Sequence, residues 1–127
     1  MRETAIPLAG IGVLALALHA CGECSGVPSC ALPPPAVTIR VSAPNGAPVG
    51  GAVAEVLSPF SARVLCNTEA GQTTCDVFGG SGTYTIQVSA AGYQSVQRQV
   101  RVREQTERCS CPVLLTQHLN VVLPWDQ

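Results

Sequence analysis

Beyond residue 35 the chain alternates apolar and polar positions with a period of two. In residues 36–42, Val37, Ile39 and Val41 fall on one side and Thr38, Arg40 and Ser42 on the other, the pattern of a half-buried strand. After the turn Pro44-Asn45-Gly46-Ala47-Pro48, where Asn-Gly tolerates positive φ, residues 52–57 predict a second strand with Ala52, Ala54 and Val56 inward and Glu55 outward. Residues 63–67 and 73–78 are shorter candidates, and Gly79-Gly80-Ser81-Gly82 breaks the chain after them. Residues 83–90 carry the clearest alternation, with Tyr84, Ile86, Val88 and Ala90 opposite Thr83, Thr85, Gln87 and Ser89. In residues 94–104 the valines Val96, Val100 and Val102 share a side with Arg98, which points inward unless a bulge shifts the register. Residues 119–123 supply a last strand with Leu119, Val121 and Leu123 toward the core, and no segment after residue 35 has a helical period. The expected fold is all-β, an antiparallel sandwich of about seven strands braced by disulfides.

The first twenty residues follow another rule. Residues 5–20 are apolar except for His19, and the run is shorter than the about 20 apolar residues that spanning a bilayer takes. It lacks flanking positive charge at its end, and reads as a secretory signal peptide over residues 1–20. Leu18-His19-Ala20-Cys21 places a large aliphatic residue where ordinary signal cleavage favours a small one, and it resembles the lipobox of bacterial lipoproteins. That resemblance implies lipidation of Cys21 and a membrane anchor, with His19 departing from the small residue usual in its slot. Residues 21–35, which end in Pro33-Pro34-Pro35, then form an extended spacer, and residues 36–127 form the sandwich.

Removing Cys21 from the seven cysteines leaves Cys24, Cys30, Cys66, Cys75, Cys109 and Cys111, an even set that in an exported domain implies disulfides. Side chains two apart on an extended chain are separated by about 6.6 Å, too far for a disulfide, so Cys109 and Cys111 do not pair with each other. Cys66 and Cys75 flank a polar, glycine-containing stretch that looks like a hairpin turn, and cross-strand pairing is the simplest arrangement. Cys24 and Cys30 are then left for Cys109 and Cys111, which would clamp the spacer to the region before the last strand. A zinc site from Cys24, Cys30, Cys109, Cys111 and His118 has unsuitable spacings, so no metal and no cofactor is expected.

Composition narrows the function further. A chain of 127 residues with 12% charged positions and a net charge of −1 is neither a disordered tail nor a nucleic-acid binder, and 10 Pro with 12 Gly disfavour a helical bundle. After export the one histidine is His118, and Gly79-Gly80-Ser81-Gly82-Thr83 lacks the second flanking glycine of a nucleophile elbow. Glu55, Glu69, Asp76, Glu104 and Glu107 are scattered over separate segments and define no carboxylate pair. Arg98, Arg101, Arg103 and Arg108 form a candidate stripe for an anionic glycan or lipid head group, partly offset by Glu104 and Glu107. Tyr93 and Trp125 can stack on sugars or pack a corner. No residue set marks a catalytic centre.

The order Val37-Thr38-Ile39-Arg40-Val41, Asn45-Gly46-Ala47-Pro48-Val49-Gly50-Gly51-Ala52-Val53 and Gly82-Thr83-Tyr84-Thr85-Ile86-Gln87-Val88-Ser89-Ala90-Ala91-Gly92-Tyr93 resembles the carboxypeptidase regulatory-like domains over about residues 36–123. The resemblance implies a transthyretin- or Ig-like sandwich serving as an accessory module outside the cytoplasm. Thr74-Cys75-Asp76-Val77-Phe78 departs from the family's usual turn. The expected protein is a non-catalytic lipoprotein of the bacterial cell envelope, periplasmic or on the cell surface, acting as a binding or structural module with an envelope protein or glycan as candidate partner. A small hydrolase using His118, or a peptidase accessory subunit, is the alternative.

Overall fold

The computed structural model describes residues 30–106 and 110–126. The segment 1–20, Cys21, Cys24, Glu107, Arg108 and Cys109 lie outside the described residues. The described residues form nine short strands: β1 (Val37–Ser42), β2 (Val53–Ser58), β3 (Ala62–Leu65), β4 (Asn67–Glu69), β5 (Gln72–Val77), β6 (Gly82–Ser89), β7 (Val96–Gln105), β8 (Val113–Leu115) and β9 (Gln117–Val122). They make a four-stranded sheet in the order β4-β5-β1-β9 and a five-stranded sheet in the order β3-β2-β6-β7-β8. This is the all-β sandwich that the period of two predicts. It comprises Leu32–Gln105 and Val113–Gln127.

The alternation decides what is buried. Val37, Ile39, Val41, Val77 and Val121 of the first sheet face Ala54, Val56, Tyr84, Ile86, Val88 and Val102 of the second, and all are buried. The intervening positions stay outside, as at Glu55 and Arg40. Four features differ from the sequence pattern. The pair β1–β9 is parallel, Ile39 opposite Leu119 and Val41 opposite Val121, whereas every other ladder is antiparallel. Parallel pairing needs a long crossover, and here the whole intervening chain supplies it. Strand β8 has only three residues and too short an alternation to register as a strand. The β6–β7 register is unbroken with Ile86 opposite Arg98, so no bulge turns Arg98 away; its side chain has the core-facing parity and is exposed, bonding to the Gln97 carbonyl at 3.3 Å.

The largest departure lies at residues 62–69, where one expected strand is two. Residues 62–65 pair with β2, and residues 67–69 pair with β5 in the other sheet. The hairpin turn is therefore just Ala70-Gly71, with φ of 51° and 76°. Positive φ at both positions is the primed turn whose twist matches the flanking strands. Cys66 stands at the corner between sheets: its N–H donates to the Ala52 carbonyl at 3.0 Å, while its Sγ is bonded to Cys75 of β5. The Cα separation of 4.3 Å is that of a closely spaced antiparallel pair. In the segments outside the sandwich, Cys30 and Cys111 form a second disulfide with a sequence separation of 81. In the chain-entropy model the two bridges are worth about 2.7 and about 4.5 kcal/mol.

Beside the corner, Thr73 is the buried polar residue of the core. Its hydroxyl donates to the Val49 carbonyl at 3.0 Å and accepts the Val49 N–H at 3.1 Å. Its single proton is thereby used, so the 2.8 Å contact with Thr68 has Thr68 as donor. The hydroxyl is saturated and ties the β1–β2 connection to β5. Thr73→Val strips the buried Val49 backbone of both partners and is expected to cost on the order of 2–4 kcal/mol, whereas Thr73→Ser costs about 1 kcal/mol for the lost methyl. Urea unfolding of the two variants measures this, and equal losses would show that the hydroxyl is not what holds the loop.

Candidate functional site

The second parity of the strands builds the outer face of the four-stranded sheet. Because β1 pairs with β5 on one side and β9 on the other, its outward residues head rows across the sheet. One row runs Asp76, Thr38, His118; the next runs Asn67, Thr74, Arg40, Asn120; beyond them Glu69 pairs with Gln72, and Ser42 pairs with Val122 and bridges Pro48. Arg40, Asn67, Asp76, His118 and Asn120 are exposed. The face thus offers side-chain amides, a guanidinium, hydroxyls and carboxylates at the strand spacing of about 4.8 Å.

At one margin this face opens into a groove of about 290 Å³ lined by Arg40, Ser42, Gly46, Pro48, Gly71 and Gln72. Its wall is held by local chemistry: Asn45 Oδ1 accepts the Ala47 N–H at 3.1 Å, the Gly46 N–H donates to the Ala43 carbonyl at 2.8 Å, and Gly46 has a φ of 85°. The Asn-Gly pair is therefore a turn that shapes the groove and not a ligand in itself.

Within the first row, the Thr38 hydroxyl donates to Asp76 Oδ1 at 3.1 Å. Its proton is directed to the carboxylate and away from the neighbouring His118. The row is a hydrogen-bonding surface; it lacks the nucleophile-to-base bond that activates a hydroxyl.

The structure separates other residues that the sequence groups together. Arg101 and Arg103 share the outer side of β7, Arg98 has the opposite parity, and Arg108 lies outside the described residues. Cys30 and Cys111 are joined to each other and so are unavailable as zinc ligands. Among the described residues no group of three His, Cys, Asp or Glu side chains comes together to hold a metal. Asp76 and Glu69 stand on the same face in different rows. Tyr93 bridges Trp125, with the Gln94 N–H donating to the Pro124 carbonyl at 2.8 Å, and the pair closes one end of the sandwich. The polar rows themselves were half visible: Thr38, Arg40 and Ser42 announce an outward face, but only the pairing with β5 and β9 says which side chains join them.

At the other end of the sandwich the glycine run 79–82 is a seat for Tyr84. The buried phenol donates to the Gly80 carbonyl at 2.6 Å, and the Phe60 ring meets it edge-on at a centroid distance of 5.6 Å. A Cβ at Gly79 would collide with the phenol oxygen and with Phe60, which explains the glycine. Leu57, Phe60 and Phe78 are exposed at this end of the sandwich.

Residues 58–117 match the model of the PEGA domain, a β-rich domain of extracellular and envelope proteins. The match takes in β3 to β8, under half of the chain, and carries a different name from the family that the sequence motifs resemble, although the folds are similar. No curated protein matches the chain. The match and the two disulfides indicate an extracellular or envelope location, and the match suggests a binding or structural β domain.

Burial raises the Tyr84 phenol above its ordinary value of 10.0. The folded state holds this proton more tightly than the unfolded chain, so the stability it contributes is complete below about pH 10 and is lost as pH rises through the folded-state value. Urea midpoints measured across the alkaline range are expected to fall for the native protein and to fall less for Tyr84→Phe.

Proposed function

We propose that this chain is a non-catalytic lipoprotein of the bacterial cell envelope, anchored through Cys21, that binds an envelope glycan on the outer face of its four-stranded sheet. The observation that carries the reading is the set of aligned polar rows across β5, β1 and β9, opening into a groove. Sugar hydroxyls both donate and accept, and a face that alternates amide, hydroxyl and guanidinium groups at strand spacing answers them in kind. Arg40 stands in both the central row and the groove, and Asn120 lies beside it. Both are exposed, so their loss leaves the core untouched.

The anchor follows from the Leu18-His19-Ala20-Cys21 motif, and it leaves Cys24 and Cys109 as the third disulfide once Cys30–Cys111 and Cys66–Cys75 are formed. The finer likeness to carboxypeptidase regulatory-like domains rests on the run 82–93, which here becomes β6 and its turn. A hydrolase or peptidase-accessory reading draws on His118 beside Thr38, whose other neighbour in the row is Asp76. Its distinguishing result is a substrate turned over by the purified chain and lost on His118→Ala.

Two measurements test the proposal. The intact mass of membrane-extracted protein, alkylated with and without reduction, is expected to equal residues 21–127 plus a diacylglyceryl group, with six thiols alkylated only after reduction. Retention of the chain on immobilised envelope glycan is expected to weaken about 10-fold in Arg40→Ala and again in Asn120→Ala, the loss of roughly one good polar contact each. Retention unchanged in both variants would remove the face from the account.

A further inference from the structure

The exposed apolar side chains are not spread evenly over the sandwich. Of the nine large ones among the described residues, Leu57, Phe60, Phe78, Val113 and Leu115 lie at one end. The strand register defines that end: β2, β5 and β7 finish there, and β1, β3, β6, β8 and β9 begin there. It is also the end at which the chain enters the domain from its N-terminal side. The Ala36 N–H donates to the Val77 carbonyl at 2.8 Å, the Gln117 N–H donates to the Ala36 carbonyl at 2.9 Å, and the Thr116 hydroxyl donates to the Pro35 carbonyl at 2.7 Å. Phe78 is the residue after the one that holds the entering chain.

Phe60 and Phe78 are presented by a rigid frame. Phe60 rests on Tyr84 and against Gly79, and Pro59 lies over Gly82. Phe78 is 59% exposed although it follows directly on the buried Val77, so the ring projects from the end of β5. Arg101 and Arg103, beside Ser81 and Gly82 at the same end, supply positive charge next to the apolar group, with Glu104 among them. Apolar side chains on a fixed tip with adjacent arginines match the boundary between head groups and acyl chains of an anionic bilayer.

We propose that the end formed by Leu57, Phe60 and Phe78 is a membrane-seating tip, which dips into the surface of the bilayer that carries the anchor. The occupant is lipid because the spacer leaves the sandwich at this end. Residues 21–35 span at most about 50 Å when fully extended, so the anchor confines the tip to the neighbourhood of the same bilayer. Contact at two points fixes the orientation of the domain and turns its opposite end, with Tyr93 and Trp125, away from the lipid. The inference rests on the lipid anchor of the proposed function.

Tryptophan emission in vesicles of phosphatidylethanolamine and phosphatidylglycerol with brominated acyl chains tests it. Native protein carries its single indole at Trp125, at the far end, and the Trp125→Phe/Phe78→Trp variant carries it at the tip. In the lipidated full-length protein, the tip indole is expected to shift to the blue and lose most of its emission to the brominated chains, while Trp125 keeps its emission. A second arm replaces the lipid by a hexahistidine tag ahead of a Cys21→Ser mature chain, held on nickel-chelating lipid. There the tip is tested even if the mass shows Cys21 unmodified, so failure of the anchor and failure of the tip give different results. Equal emission from both positions in the tagged arm would overturn the proposal. So would a blue shift of the tip indole that depends on protein concentration in the absence of vesicles, which marks a second copy as the occupant, or one present in dilute protein without lipid, which marks the chain's own N-terminal segment.

Discussion

At Cys66 the chain leaves one sheet and enters the other, and the residue takes part in both. Its N–H extends the β2–β3 ladder through the Ala52 carbonyl, and its sulfur is bonded to Cys75, a buried residue of β5. A corner between packed sheets interrupts both ladders and tends to open. Here a covalent bond closes it, and the saturated Thr73 hydroxyl two residues before Cys75 ties in the loop at Val49. The β4–β5 hairpin, the β1–β2 connection and the inner packing of Val77 are positioned by this group of contacts. In a domain of this size, with modest hydrophobic area for its length, such cross-links supply a substantial share of the net stability.

Strand β1 carries the next layer of organisation. It is held between an antiparallel neighbour and a parallel one, so its inner residues meet valines and its outer residues are aligned with side chains from distant parts of the sequence. Asp76, Thr38 and His118 reach one row from three strands. Geometry of this kind aligns polar side chains without strain and without burying charge. The hydrogen bond from Thr38 to Asp76 orients the row as a set of fixed acceptors and donors.

The two ends of the sandwich differ in character. One is closed by the Tyr93–Trp125 bridge and its flanking backbone hydrogen bonds. The other receives the chain at Pro35–Ala36 and exposes Phe78 and Phe60, the latter against Tyr84. Between them the polar face of the four-stranded sheet lies along the side.

Local periodicity was enough to read the core from the chain. Val37, Ile39, Val41, Ala54, Val56, Tyr84, Ile86 and Val88 each face inward because a strand with one buried face must alternate, and alternation is a property of neighbours in sequence. Turn chemistry is equally local, and Asn45-Gly46 was legible for that reason. What the chain could not announce was pairing. The split of residues 62–69 between two sheets, the parallel union of β1 with β9 and the exposure of Arg98 on a core-facing parity depend on which strand lies alongside, and the contacts responsible join residues far apart in sequence. The same holds for the surfaces: Arg40 is polar in any reading, but its row with Asn120, and the gathering of Phe60 and Phe78 around the chain's entry, exist only once the sheets have closed. Sequence by itself determined which side of the strands carries the core valines and where the Asn45-Gly46 turn falls, since both follow from the geometry of an extended backbone. Tertiary structure decided which outward side chains stand together, because hydrogen bonding between strands is blind to distance along the chain.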